Sequence, residues 1–240
     1  MLVKNRLREL LIWTRRLVRS AARRDRFWPI RAKVRTIELG SFAAAWRVVP
    51  ELCTPRLPCL AFGVGTDISF ELALCAKTGC KVHLFDPTPR SVKWISQQLL
   101  PAQVTFQDVG IAAHDGTAVF AAPADPTHVS YYRAGSQASN TETVSGSVLR
   151  LQSIMAGLAI HDVSLLKLDV EGSEYEVIHD ICQCAPQLRQ VAIEFHHGMH
   201  EYTLRDTERA VSDLEDAGLH LAAVSPSGKE FLFVRLPRPE

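Results

Sequence analysis

The sequence predicts an α/β protein built on a largely parallel, doubly wound sheet with one antiparallel hairpin strand at its edge. Three observations carry this. Short apolar runs bounded by turn residues alternate with stretches of helical period through the middle of the chain. Strand-like segments then gather near 219–224 and 231–236, where the chain must return on itself. Finally, 240 residues at 47% hydrophobic and 22% charged can bury a sizeable core without disulfides or metals.

The chain opens with a basic arm. Leu7, Leu10, Leu11, Thr14, Leu17 and Val18 recur at helical spacing with arginines between them, which predicts an amphipathic helix with a basic face. Residues 1–35 hold 12 Lys/Arg against two acids, a charge of +10, so the remaining chain sums to −9. This divides the chain into an arm over 1–35 and a mildly acidic domain over 36–240 that is expected to fold without it. The arm either docks on anionic lipid or a partner, or packs on the domain and solvates its other face. A transit peptide is a third reading. Nucleic acid is not an expected partner, because no recognisable nucleic-acid module follows the arm. The early apolar run Leu10-Leu11-Ile12-Trp13 falls far short of the roughly 20 residues of a spanning helix.

The domain reads as strand over 59–63, helix over 67–77 capped by Asp67 or Thr66, strand over 81–85, helix over 91–100 and strand over 104–109. A short strand over 118–122 follows the Asp115-Gly116 turn. Residues 123–147, rich in Pro, Ser, Thr, Asn and Gly, read as a long loop of the lid or binding type. Then come a helix over 152–158, strand over 164–169, helix over 173–182, strand over 189–195 and helix over 207–217, ahead of the two closing strands. The six cysteines form no C-x-x-C pair or zinc spacing. Cys59, Cys75 and Cys80 read as small core side chains, and a reduced, cytoplasmic compartment is the simplest home.

Ligands of doubly wound sheets bind beyond the carboxyl ends of the strands, so the residues just after each strand carry the chemistry. The first strand ends in Gly63-Val64-Gly65-Thr66-Asp67, a tight turn that lets backbone approach a ligand. A dinucleotide fingerprint would place a third glycine where Ile68 stands. Asp86 ends the second strand, 23 residues after Gly63, where an acid commonly accepts bonds from ribose hydroxyls. The strand ending Leu166-Lys167-Leu168-Asp169-Val170-Glu171-Gly172 puts Lys167 and Asp169 on one face, and the strand after it does the same with Glu194 and His196. As parallel neighbours they predict pairs Lys167–Glu194 and Asp169–His196. His197 and His200 could join His196 at a metal, though no H-E-x-x-H pattern is present, and no G-x-S-x-G elbow occurs.

AFGVGTDISFE, KVHLFDPTP, FQDVGIAAHDGTAVF, SLLKLDVEGSEYEVI and VAIEFH, in this order and spacing, resemble the FkbM-type methyltransferases over roughly residues 59–198. The resemblance implies a class I, Rossmann-like, mostly parallel seven-stranded sheet that binds S-adenosylmethionine. It implies O-methylation of a hydroxyl on a sugar, glycan or secondary metabolite. By that resemblance Gly63 and Gly65 pass the methionine part of the cofactor, Asp86 holds the ribose and Asp108 lies near the adenine. The chain departs from the family pattern at Ala61, where an acid is usual, and at Asp67, near which a third glycine is usual. Asp67 then either meets the cofactor's amino group or caps the helix.

A hydroxyl is a poor nucleophile until its proton leaves, so a general base is expected. His196 has the right unperturbed pKa, near 6.5, with Asp169 to orient it or to meet the substrate itself. Glu171 follows on the same loop and holds the cofactor or ligates a metal. Mg²⁺ on Asp169, Glu171 and Glu194 stays open. A nicotinamide oxidoreductase on a similar sheet, disfavoured by Ile68, and a catalytically silent binding module are the alternatives.

Overall fold

A computed structural model describes residues 2–121, 132–133, 143–199 and 202–236. Most of the expected 123–147 loop, and His200, lie outside the described residues. In chain order the elements are α1 (Leu2–Ala21), β1 (Ile37–Leu39), β2 (Trp46–Val48), β3 (Cys59–Phe62), α2 (Ser69–Thr78), β4 (Val82–Phe85), α3 (Pro89–Ile95) and β5 (Val104–Gln107). There follow β6 (Val109–Ile111), β7 (Gly116–Ala121), β8 (Tyr132–Arg133), β9 (Thr143–Leu149), α4 (Leu151–Gly157) and β10 (Leu165–Leu168). The chain closes with α5 (Glu174–Cys184), β11 (Gln190–Glu194), α6 (Leu204–Asp216), β12 (Leu219–Val224) and β13 (Glu230–Arg235).

Seven strands form the central sheet in the order β12-β13-β11-β10-β3-β4-β5. The parallel, doubly wound sheet expected from the sequence is therefore present. The antiparallel strand is not at the edge, however. β13 pairs antiparallel with both β11 and β12, one position in. Its apolar side chains explain the placement, since Phe231, Leu232, Phe233 and Val234 are all buried and need cover on both faces. One face of the sheet packs Leu60, Phe62, Leu166, Leu168 and Ile193 against α4, α5 and α6. The other packs Cys59, Ala61, Leu84 and Leu165 against β2 and α2. Cys59, Cys75 and Cys80 are buried there as expected, and all six cysteines are free.

A second, four-stranded sheet, β6-β9-β7-β8, was not legible as such. The strand expected to run to Val109 stops at Gln107, and the chain breaks at exposed Asp108 before β6 pairs with β9. β9 occupies what reads in sequence as loop. Its Ser and Gly content comes from one exposed face and from a close approach, since a Cβ on Gly146 would lie 2.8 Å from Pro87.

The register of the central strands corrects one expected pair. Lys167 lies opposite Ala61 on one side and Ala192 on the other, two residues short of Glu194. These small neighbours leave room for the ammonium to meet Glu71 of α2 at 3.1 Å, with the Trp46 ring 5.1 Å away. Both side chains are almost fully buried. Burial alone would lower the lysine's pKa, but Glu71 and Asp169 together outweigh it and hold the group above its ordinary value. Removing one partner strands the other in a low-dielectric interior. We expect Lys167→Met to cost about 3–5 kcal/mol in denaturant unfolding, and the double variant Lys167→Met/Glu71→Gln to recover a clear part of that loss.

Candidate functional site

A cavity of about 510 Å³ opens at the carboxyl ends of β3, β4 and β10. Its walls include Gly63–Asp67, Asp86–Thr88, Asp169–Glu171 and Trp46, with Gly110, Ile111 and Phe120 from the second sheet. The two glycines do different work. Gly63 has φ 80°, and a Cβ there would fall 1.6 Å from the carbonyl oxygen of Asp169. It lets the ends of β3 and β10 touch, and the Asp169 amide donates to the Phe62 carbonyl at 3.1 Å. Gly65 has φ 55°, and the space where its Cβ would stand is open.

Asp86 is buried and ties the loop together. One carboxylate oxygen accepts from the Gly65 amide at 3.1 Å, and the other accepts from the amide and hydroxyl of Thr88 at 2.9 and 2.6 Å. A carboxylate offers about four acceptor sites, so capacity remains toward the cavity. Asp67 also lines the cavity. It accepts from the Ser69 amide at 2.8 Å and the Ser41 hydroxyl at 2.7 Å, bracing the turn before α2. Burial pushes this carboxyl up, but the bonds from Ser69 and Ser41 outweigh it and hold it below the usual range. Asp108 is exposed and away from the cavity wall. The break after β5 turns it outward and brings Gly110 and Ile111 in instead.

The ionisable groups after β10 converge, with Asp169 within 4.8 Å of His196 as expected but without an ion pair, and with partners the sequence did not indicate. Glu171 sits in the left-handed region at φ 51°, unusual for a residue with a side chain, and Gly172 follows at φ 103°. The tight turn brings in Glu174 at the start of α5, a residue that sequence reasoning missed. Glu174 is fully buried and accepts from the amide of Gly172 at 2.8 Å, the amide of His196 at 2.8 Å and the Nδ1–H of His196 at 3.0 Å. Its one visible signal was a third acid in the Asp169-Val170-Glu171-Gly172-Ser173-Glu174 run. The other ring nitrogen of His196, Nε2, lies 3.5 Å from Glu171 and 3.7 Å from Glu194, too far for hydrogen bonds. Asp169, Glu171 and His196 each bring one ligand atom within 4.8 Å of the others, a set of oxygens and imidazole that a divalent cation could use. His197 stands apart, bonded to Thr207 at 3.2 Å.

Four carboxylates around one imidazole leave an excess of negative charge, and the protonation states respond. Burial would lower His196, but the hydrogen bond and charge of Glu174 lift it to about 9, so it is an imidazolium at neutral pH. Burial and then Asp169 push Glu194 up to about 8. Asp169 is also raised, by burial first, with Lys167 and His196 opposing. Among the described residues its carboxylate has no hydrogen bond or ion pair within 4.0 Å.

The family model described as the methyltransferase FkbM domain matches residues 61–219. No curated protein matches the chain. Among solved structures, the fibrillarin pre-rRNA processing protein of Methanococcus jannaschii is 12% identical, with a TM-score of 0.46 over 78% of this chain and 69% of that one. Aeropyrum pernix fibrillarin, solved with natively bound S-adenosylmethionine, is 11% identical at 0.45 over 78% and 69%. A precorrin-6y C5,15-methyltransferase from Geobacter metallireducens is 14% identical at 0.38 over 74% and 79%. Likenesses this distant carry nothing about the site.

The raised groups give stability a pH slope. The folded pKa of His196 lies above its unfolded value, so its contribution is complete below about 6.5 and lost as pH rises through about 9. Glu194 is also raised, so the cost of ionising it in the fold grows from about 4.5 to about 8. Both act in the same direction. With chelator present, unfolding free energy should fall by about 4–5 kcal/mol between pH 6 and pH 9. Glu174→Gln should flatten that slope, and a flat wild-type profile would mean ordinary pKa values for both groups.

Proposed function

The chain belongs to the FkbM methyltransferase domain family and is an S-adenosylmethionine-dependent methyltransferase, and we propose that it methylates a hydroxyl oxygen of a sugar, glycan or secondary metabolite in the cytoplasm. The observation that carries the proposal is the raised carboxylate of Asp169 on the cavity wall, which among the described residues accepts no hydrogen bond. A carboxylate raised by burial at a sheet's carboxyl edge suits proton abstraction more than structure.

The chain's own groups fit the cofactor. Open space at Gly65 lets a ligand approach the backbone, spare acceptor capacity on Asp86 suits ribose hydroxyls, and Ile111 and Phe120 offer apolar wall. The cavity is within the usual size range of small-molecule sites. Bound there, the sulfonium supplies an electrophilic methyl group. The walls hold an acceptor hydroxyl beside Asp169, which takes its proton as the new oxygen–carbon bond forms. His196, the base expected first from the sequence, is already protonated and does not line the cavity. Its role in this reading is to steady the negative charge on Asp169 and Glu171. Family membership replaces the nicotinamide alternative, and Ile68 is buried core beneath α2, not a cofactor turn.

Calorimetry and turnover test separate parts of this reading. Asp86→Ala should weaken S-adenosylmethionine binding by roughly ten- to a hundredfold, the worth of a charge-assisted bond of about 1.5–3 kcal/mol. Asp169→Asn should bind the cofactor within about twofold of wild type while turnover falls about 100-fold or more. Turnover is read by mass spectrometry on sugar and glycan extracts. Near-wild-type turnover in a folded Asp169→Asn protein would remove the base from the mechanism, and absence of any methylated product would favour a silent binding module.

A further inference from the structure

The basic arm packs on the domain by the opposite side from the one its sequence suggests. α1 is docked through Arg16 and Arg19. Arg16 is 3% exposed and donates to the carbonyls of Ser225 at 3.0 Å and Arg26 at 3.1 Å. Its Nε lies 3.7 Å from Asp25, and its guanidinium stands over Phe27 at 4.8 Å. Arg19 donates to the same Asp25 carboxylate at 3.1 Å and to the Ser227 carbonyl. Asp25 is fully buried between them. The turn joining β12 to β13 is shaped for this clamp, since a Cβ on Gly228 would lie 2.6 Å from Arg16 and 2.8 Å from Asp25.

A helix advances 100° per residue, so the side opposite Arg16 and Arg19 carries Leu11, Leu17 and Val18. These are 53%, 54% and 65% exposed. Trp13, stacked on Phe27 at 5.8 Å, and Ile30 add to the exposed apolar surface. An ordinary surface helix buries its apolar stripe and solvates its arginines. Here Arg16 is buried, Arg19 is half-buried and the stripe is bare, and an apolar patch left open in this way marks an interaction site. Arg15, Arg23 and Arg24 are exposed within the same arm.

We propose that this face docks in the plane of an anionic lipid bilayer. The apolar side chains would enter the boundary between headgroups and acyl chains, and the exposed arginines would meet lipid phosphates. Charge selects this occupant. The arm carries +10, so a second arm laid against it would be repelled, whereas an anionic leaflet attracts it. No described helix is long and apolar enough to cross a membrane, so the contact is in-plane. The buried Asp25 clamp matters to the mechanism, because it fixes the helix with its apolar side outward instead of letting it roll onto the domain.

Flotation of the full-length protein with vesicles tests the proposal. It should float with phosphatidylcholine vesicles containing phosphatidylglycerol at low salt, release as salt rises, and ignore pure phosphatidylcholine. Leu17→Glu/Val18→Glu should weaken flotation by about tenfold or more while S-adenosylmethionine affinity stays unchanged. Arg15→Glu/Arg23→Glu/Arg24→Glu should do the same through charge. Failure of the wild type to float with anionic vesicles at low salt would overturn the proposal. So would unchanged flotation in both variants, or a dimer in sedimentation velocity that Leu17→Glu/Val18→Glu dissolves, which would assign the face to a second copy.

Discussion

The carboxyl edge of the sheet depends on how closely β3 and β10 approach at Gly63. No side chain fits between that glycine and the Asp169 carbonyl, and the Asp169 amide closes the contact on Phe62. From this one close approach the glycine loop, Asp169 and the Glu171–Glu174 turn take their positions. Lys167 lies just beneath, within 3.5 Å of the Gly63 carbonyl, while Glu71 neutralises it. A buried ion pair of this kind contributes little net stability against an apolar substitute. Its effect is instead to fix α2, β2 and β10 in one arrangement under the cavity floor.

The cluster beyond β10 follows a different logic. Glu174 saturates one side of His196 and both of its own oxygens, so the two form a rigid unit. That unit lifts the imidazole out of the range of a neutral-pH base and turns it into a fixed positive charge. The remaining acids share what it cannot neutralise. Asp169 and Glu194 are raised by burial beside like charge, the arrangement in which carboxyls acquire proton-transfer capacity near neutral pH. Glu171 in a left-handed conformation marks where backbone strain is accepted to bring the group together.

The β12–β13 turn connects this region with the arm. Ser225 and Ser227 present carbonyls to Arg16 and Arg19, while their hydroxyls donate to Glu230, which lines the cavity. One short turn therefore anchors the helix outside and supports a carboxylate inside. The polypeptide between Asp25 and Ala32 adds to this anchoring, with the amides of Arg31 and Ala32 both donating to the Leu221 carbonyl and Trp28 set edge-on against Phe231.

The sequence by itself determined the parallel sheet, the order of its strands and helices, and the residues at the strand ends. Apolar runs and turn glycines are local signals, and Gly63, Gly65, Asp86, Asp169 and Glu171 could be found from them. The pairing of charges was not local. Lys167 meets Glu71 instead of Glu194 because the strand register, set by many backbone bonds, shifts it two residues. Glu174 partners His196 because a left-handed turn carries it back across the strand ends, and no periodicity records such a turn. Asp108 faces outward because β5 ends one residue before it and the chain leaves for a second sheet, whose polar β9 resembles loop in sequence. Amphipathic spacing predicted the arm helix but not its orientation. That was decided by tertiary contacts, the buried Asp25 and the β12–β13 carbonyls that hold Arg16 and Arg19 on the domain side.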